Sequence, residues 1–151
     1  MSRYEIVRSA LIDAEPAALY AQVIDFRNWT AWSPWEDLNP DMRREYSGEP
    51  SGPGARYAWE GRKSGTGTME ILTSRPDEQI DIDLRFTKPF RAINPTTFTF
   101  AQEDEGTRVT WTMRGEHRGL GALIARVLRI NAKVGADFEK GLARLAEVVS
   151  G

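Results

Sequence analysis

Cysteine is absent from the 151-residue sequence, and histidine occurs only once. Without cysteine the chain forms no disulfide, thiolate metal site or thiol nucleophile, and one histidine cannot complete a zinc site of ordinary spacing. A dominant charge is missing too, since 20 basic and 22 acidic residues give a formal net charge of -2. Balanced charge without a basic block argues against nucleic acid as a partner. We therefore expect no nucleic-acid partner, no metal and no cofactor.

Long hydrophobic runs are also missing. The longest uncharged stretch, from Ala92 to Gln102, is half polar and far shorter than a membrane span. The first residues lack the pattern of a signal peptide, so we expect a cytoplasmic protein without membrane insertion. No repeat or linker divides the sequence, and its length suits one domain over residues 1–151. Its oligomeric state stays open.

The first third of the sequence predicts a strand followed by two short helices. Apolar and polar residues from Arg3 to Ile12 predict the strand. Pro16 suits the first turn of a helix, and apolar residues follow at helical spacing at Leu19, Tyr20, Val23 and Ile24. Either Asp25 or Asn28 caps a second, brief helix. That helix carries two tryptophans on one face, Trp29 and Trp32.

The middle of the sequence changes to a period of two, which is typical of half-buried strands. The clearest strand interleaves three charged residues with four apolar ones, Ile80, Ile82, Leu84 and Phe86. A short strand at 43–46 and further alternations near Tyr57, Met69, Phe98 and Trp111 predict an antiparallel meander. From Leu120 to Val149 the period returns to 3.6, which predicts a long amphipathic helix. This order of elements indicates an α+β domain.

Several segments resemble the START-like (SRPBCC) helix-grip superfamily, in particular its polyketide cyclase/dehydrase and lipid-transport branch. The segments that carry the resemblance are Ile12–Pro16, Val23–Asp25, Trp29–Trp35, Gly52–Ala55, Lys88–Phe90, Thr107–Trp111 and Asp137–Leu142. The resemblance implies a Bet v 1-like fold, in which a curved seven-stranded antiparallel sheet wraps around the long C-terminal helix after two short helices follow strand 1. It also implies a hydrophobic cavity between the sheet and that helix.

The candidate ligand-binding residues are large apolar side chains on inward strand faces, in the tryptophan-rich segment and on the last helix, together with one amide. They are Trp32, Trp35, Tyr57, Trp59, Met69, Phe86, Phe90, Phe98, Trp111, Met113, Val127, Asn131 and Val134. We expect one contiguous cavity to be bordered by seven residues of the strands and helix, Met69, Phe98, Trp111, Met113, Val127, Asn131 and Val134. Each apolar residue alone also suits ordinary core packing. Asn131 needs a partner because it lies on the apolar arc of the helix.

Three functions remain open at this level. The favoured hypothesis is binding of a hydrophobic or amphipathic small molecule by a carrier, sensor or sequestering protein. The second is a cyclase or dehydratase acting on an aromatic or polyketide-like substrate, with Tyr57, Asn131, Arg114 and His117 as the available helpers. The third is a protein-partner module similar to chaperone activators, which requires an exposed apolar patch. No catalytic residue is assigned, and His117 is expected to be exposed and dispensable.

Overall fold

The computed structural model describes the backbone of residues 2–35, 42–61, 65–88, 91–117 and 122–150, and the side chains in these ranges except at residues 2 and 117–131. The elements follow one another along the chain as β1 (Ser2–Ile12), α1 (Pro16–Ile24), a 3-10 helix (Phe26–Ala31), β2 (Arg43–Gly48), β3 (Ala55–Gly61), β4 (Gly65–Arg75), β5 (Gln79–Lys88), β6 (Ala92–Glu103), β7 (Gly106–His117) and α2 (Ala122–Ser150).

The seven strands of the described chain form one curved antiparallel sheet in the order β1-β7-β6-β5-β4-β3-β2. Only the β1–β7 pairing joins strands distant in sequence, so β2 to β7 form a meander of consecutive neighbours. Helix α2 packs against β1, β7, α1 and the 3-10 helix. This arrangement confirms the predicted α+β helix-grip (Bet v 1-like) fold, with two short helices after strand 1.

The two short helices form where the sequence predicts them. Pro16 occupies the first turn of α1, where its missing N–H leaves no hydrogen bond unmade, and the helix buries Leu19 and Val23. Asp25 caps the 3-10 helix, because its Oδ1 accepts a hydrogen bond of 2.9 Å from the backbone N–H of Arg27. Of the two caps predicted from the sequence, Asp25 and Asn28, the structure shows Asp25.

The glycine-rich segment between β2 and β3 is held to its neighbours by backbone hydrogen bonds. The Gly52 N–H donates to the Ile24 carbonyl at 3.1 Å, and the Gly54 N–H donates to the Ile71 carbonyl at 2.9 Å. Both glycines have positive φ, at 74° and 95°, which other residues adopt only with strain. These two hydrogen bonds tie the segment to the end of α1 and to β4.

The sheet buries one face against the helices and exposes the other. Along β5, Ile80, Ile82 and Leu84 are buried, while the intervening Asp81 and Asp83 lie on the outer face with other charged residues. The inward residues of adjacent strands line up in rows across the sheet, because the strands pair in register. These rows are the surface on which the candidate site must be built.

Candidate functional site

One half of the inward face is a closely packed aromatic cluster beneath the C-terminal half of α2. The rings of Trp111 and Phe138 stack with their centroids 3.9 Å apart and an interplanar angle of 7°. Trp29, Trp32 and Phe98 lie around Trp111, with ring centroids 4.8 to 6.1 Å from its centroid. All five residues are at most 4% exposed. We call these five residues the aromatic cluster.

Two of the three indole N–H groups in the cluster, those of Trp29 and Trp32, are hydrogen-bonded within the protein. The indole N–H of Trp29 donates to the Val23 carbonyl at 2.9 Å, and that of Trp32 donates to the Gln22 carbonyl at 3.1 Å. Both acceptors lie near the C-terminal end of α1, where backbone carbonyls lack intrahelical partners. The tryptophans therefore join α1 to the sheet, and their hydrogen-bonding groups are not available to a ligand.

Trp35 extends the cluster toward the helix. Its ring lies 5.6 Å from Trp111 and 6.1 Å from Phe138, and its Nε1–H donates to Asp137 Oδ2 at 3.2 Å. Gly141 permits this close packing, since a Cβ there would lie 3.0 Å from Trp111 Cζ3. The space between the sheet and the C-terminal half of α2 is thus filled by side chains at Trp32, Trp35, Phe98 and Trp111.

The other half of the inward face carries aromatic side chains that are only half-buried. Trp59 of β3 and Phe86 of β5 both lie next to Gly67 of β4 in one cross-strand row. Their rings meet edge to face with centroids 5.6 Å apart. Both side chains retain solvent contact, whereas the cluster residues do not. We call this part of the sheet the Trp59 face.

Gly67 lets the Trp59 ring lie flat across the backbone of β4. A Cβ at Gly67 would lie 2.6 Å from Trp59 Cη2 and would also collide with the backbone oxygen of Arg85. The pairing of β4 with β5 shifts by one residue between Thr66 and Gly67, which bends the strand here. Glycine and the bulge together set the orientation of Trp59, and Tyr57 stacks beside it with centroids 6.0 Å apart.

Polar residues adjoin the Trp59 face in the next row. Asn94 of β6 pairs with Leu84 of β5 and is 2% exposed, and Thr96 is 4% exposed. The Asn94 Nδ2 group donates to Tyr4 Oη at 2.7 Å and to the Arg114 carbonyl at 2.9 Å. The sequence analysis did not single out Asn94, although it has the same strand parity as the inward residue Phe98.

The predicted site residues therefore fall into three groups. Trp32, Trp35, Phe98 and Trp111 belong to the packed half. The Trp59 face and the adjoining row contain Tyr57, Trp59, Met69 and Phe86, while the row beyond holds Met113. Val134 is half-buried against the core. Phe90 and the side chains of Val127 and Asn131 lie outside the described residues. The single cavity expected from the sequence is not formed around Phe98 and Trp111, because ring contacts occupy the space there.

Chain connectivity limits where α2 can begin relative to the sheet. Strand β7 ends at His117, opposite Ser2 of β1, and α2 begins at Ala122. Five peptide units span at most about 18 Å. The helix must consequently start near the end of the sheet that carries Tyr4 and Asn94, and further along it Phe138 stacks on Trp111 of the aromatic cluster.

The outer face of the sheet has a different chemistry. A cleft of about 360 Å³ there is lined mainly by polar and charged side chains of β2 to β5, including Arg56, Glu70, Asp83 and Arg85. Arg56 pairs with Glu70 at 3.3 Å and Arg85 with Asp83 at 2.9 Å. Exposed ion pairs of this kind contribute about 0–1 kcal/mol each to folding. The outer cleft therefore differs from the inward face, because ion-paired side chains line it in place of a row of aromatic rings.

Asp81 lies behind the aromatic cluster, on this outer face. Burial raises the pKa of its carboxyl group, but hydrogen bonds from Thr73, Thr97 and Gln79 lower it, as does the charge of Arg114, and the net pKa lies below the usual value. The Thr73 and Thr97 hydroxyls donate at 2.8 and 2.9 Å. Because the partners lie on β4, β5 and β6, Asp81 joins three strands.

The candidate helpers for catalysis do not come together in the described residues. Arg114 lies on the outer face and pairs with Glu5 at 3.1 Å, whereas Tyr57 lies inward and is 8% exposed. The side chains of His117 and Asn131 lie outside the described residues. Within the parts of the chain that are described, histidine, aspartate and glutamate form no group of three that could hold a metal ion. None of the described helices combines the length and apolarity needed to cross a membrane.

The sequence model of the family described as "Polyketide cyclase / dehydrase and lipid transport" matches residues 3–150. The chain belongs to this family. No protein of curated function matches the sequence. Among solved structures, the fold of this family member is similar to protein CV1439 from Chromobacterium violaceum, with a TM-score of 0.71, 17% identity and 97% of each chain covered.

Two further structures show how widely the fold is shared. The Aha1 dimer from Colwellia psychrerythraea has a TM-score of 0.68 at 14% identity, and the match covers 97% of this chain and 96% of that one. Ara h 8.0201 has a TM-score of 0.65 at 13% identity, with 99% of this chain and 100% of that one covered. At such identities the likeness establishes the fold alone.

Proposed function

We propose that this member of the polyketide cyclase/dehydrase and lipid-transport family binds a hydrophobic or amphipathic small molecule. The ligand lies against the Trp59 face, beneath the N-terminal half of α2. It is carried, sensed or sequestered by the protein without chemical change. The observation that carries this proposal is the pair of half-buried aromatic side chains, Trp59 and Phe86, on the same inward face as a fully packed cluster.

Exposed aromatic area on an inward face favours a ligand for energetic reasons. Removal of apolar surface from water is worth about 25 cal/mol per Å², so a large ring left in contact with solvent forfeits stability. The same sheet packs Trp111 and Phe98 to 1% exposure or less. A folded chain that buries some rings completely gains from a ligand that covers Trp59 and Phe86.

The chemistry of the Trp59 face indicates an uncharged ligand body. The inward residues that β3, β4 and β5 contribute to the Trp59 face and to the adjoining row are aromatic, aliphatic or glycine: Tyr57, Trp59, Gly67, Met69, Leu84 and Phe86. Met69 supplies a polarizable thioether that adapts to irregular shapes. Binding should therefore be driven by apolar contact and accompanied by a decrease in heat capacity.

A binding comparison between two variants tests the proposal. We use 2-methylnaphthalene as the apolar probe and measure its dissociation constant by chemical-shift titration. Trp59→Ala should weaken binding about tenfold, which corresponds to a loss of about 1.4 kcal/mol. The matched control is Leu72→Ala, which removes a 51% exposed apolar side chain from the neighbouring strand β4 and should leave binding unchanged.

Native mass spectrometry of freshly purified protein complements the titration by showing any co-purified molecule. The proposal is contradicted if the probe fails to bind, or if Leu72→Ala weakens binding as much as Trp59→Ala does. A cytoplasmic location and the lack of a nucleic-acid partner stay predictions from composition. Conversion of a co-purified molecule by the purified protein would favour the cyclase hypothesis.

A further inference from the structure

Asn94 carries a buried side-chain oxygen, Oδ1, that accepts no hydrogen bond in the described structure. The residue lies on the inward side of β6, where it is 2% exposed. Its two amide hydrogens are both engaged, because Nδ2 donates to Tyr4 Oη and to the Arg114 carbonyl. Among the hydrogen bonds of the described structure, none reaches Asn94 Oδ1. A buried carbonyl oxygen without a donor is unfavourable, and most such atoms in folded proteins are paired.

The orientation of the Asn94 side chain is set by its neighbours. The Arg114 carbonyl can only accept a hydrogen bond, so the atom 2.9 Å from it must be the amide nitrogen. A flipped side chain would bring two carbonyl oxygens together. Gly115 keeps this arrangement compact, since a Cβ there would lie 2.6 Å from Asn94 Nδ2 and would collide with the Tyr4 ring. The oxygen consequently points away from β7.

The surroundings of Asn94 carry no charge in the described residues. The members of its row are Tyr46, Tyr57, Met69, Leu84, Gly115 and Tyr4. Thr96 lies two residues along β6, and its hydroxyl already donates to the Asn94 carbonyl at 2.9 Å. An anion would meet the lone pairs of Oδ1, and a cation would find no counter-charge. The atom suits a neutral donor, a hydroxyl or an N–H group.

Asn94 adjoins the proposed binding surface. It pairs with Leu84, and Phe86 lies two residues further along β5 on the same face. Diagonal neighbours on one sheet face are about 7–8 Å apart. A bicyclic molecule is of this size, so one compound can lie on Phe86 and Trp59 and still present a substituent to Asn94.

We propose that Asn94 Oδ1 is the polar anchor of the site and accepts a hydrogen bond from a hydroxyl or N–H group of an uncharged, largely apolar ligand. This inference rests on the proposed function and narrows the ligand class. It favours phenols, alcohols and neutral amides over carboxylates of the same shape. The apolar body covers the Trp59 face, and the donor group satisfies the oxygen that the fold leaves unpaired.

Three probes with one carbon frame test the anchor. These are 2-naphthol, 2-methylnaphthalene and 2-naphthoate, which present a donor, a methyl group and an anion. The native protein should bind 2-naphthol about fivefold more tightly than 2-methylnaphthalene, as expected for one net hydrogen bond. It should bind 2-naphthoate the most weakly of the three. The affinity ratio of the first two probes is the decisive quantity, because their shared hydrophobic contribution cancels.

Asn94→Leu should reduce this ratio to one or below, because the hydroxyl of 2-naphthol then lacks its acceptor. Thr97→Val is the matched control, since it removes a hydroxyl from the opposite face of β6 and should leave the ratio unchanged. If both neutral probes bind and the ratio survives Asn94→Leu, the anchor is wrong and the proposed function stands. If no probe binds the native protein, both fail. Tightest binding of 2-naphthoate also overturns the anchor.

A measurement on the native protein covers the case in which Asn94→Leu does not fold. The side-chain carboxamide signals of Asn94 should move on addition of 2-naphthol but much less on addition of 2-methylnaphthalene, because only the first donates to Oδ1. Equal movement with the two probes, or none with 2-naphthol, contradicts the anchor.

Discussion

The two halves of the inward face differ in how completely they bury their aromatic rings. In the aromatic cluster, Trp111 stacks on Phe138 of α2 and also contacts Trp29 and Trp32, and no ring is more than 4% exposed. On the Trp59 face, Trp59 and Phe86 contact each other but stay half-buried. One half of this face is therefore packed as a core, and the other half is the part that we propose binds the ligand.

Truncation of one tryptophan in each half should give the largest difference. Trp111→Ala removes a ring that is 1% exposed and stacked on Phe138, so it should lower the free energy of unfolding by about 3–5 kcal/mol. Trp59→Ala should cost roughly 1–2 kcal/mol, because the ring is already partly in solvent. Urea denaturation of both variants measures the difference. Equal losses would show that the Trp59 face is ordinary core.

Added methyl groups provide a second test of the comparison. Gly67→Ala puts a Cβ against Trp59 and the backbone of Arg85, and should cost about 1–3 kcal/mol while weakening probe binding. Gly141→Ala meets only side chains, at 3.0 Å, and gains about 1 kcal/mol of helix propensity, so its net effect should be near zero. Thermal denaturation and probe titration measure both. A neutral Gly67→Ala would mean that Trp59 is free to move aside.

The smallest expected effect is the loss of stability when Asp81, on the outer face behind the aromatic cluster, is replaced. The folded-state pKa of Asp81 is lowered, so its ionised form stabilises the fold above the ordinary pKa of 3.8, and this contribution is lost as the pH falls through the folded value. Asp81→Asn should therefore be less stable than the parent at pH 6, and the gap should narrow below about pH 4. Urea denaturation across this range measures the gap.

The control for the lost negative charge is Asp104→Asn, in the exposed turn between β6 and β7. A gap between the parent and Asp81→Asn that stays constant from pH 6 to pH 3 would contradict the role given to the Asp81 network. That network joins β4, β5 and β6, so the result concerns the outer side of the packed half and leaves the Trp59 face untouched.

Local patterns were sufficient to predict the fold. Alternation from Ile80 to Phe86 depends only on which side chains face water, and this is a property of the strand itself. The same holds for the long amphipathic helix, predicted over 120–149 and observed at Ala122–Ser150. The division of the inward face was not predictable, because the stack of Trp111 on Phe138 depends on where α2 crosses the sheet.

The inward position of Asn94, the proposed polar anchor, could have been predicted from the sequence. Asn94 and Thr96 share the parity of Phe98 and Phe100 on β6, so strand alternation alone places them inward. Neither residue is in the predicted cavity wall, whose strand residues are all large and apolar. The role of Gly67 had no comparable signal, because it depends on the ring of Trp59 in the neighbouring strand.

The most direct test of the account is the position of the bound probe. Intermolecular nuclear Overhauser effects between 2-methylnaphthalene and the protein should connect the probe to the side chains of Trp59 and Phe86, and not to those of Trp111 and Phe98. Contacts confined to Trp111 and Phe98 would show that the aromatic cluster opens to admit the ligand, which would contradict the division of the inward face into a packed half and a binding half.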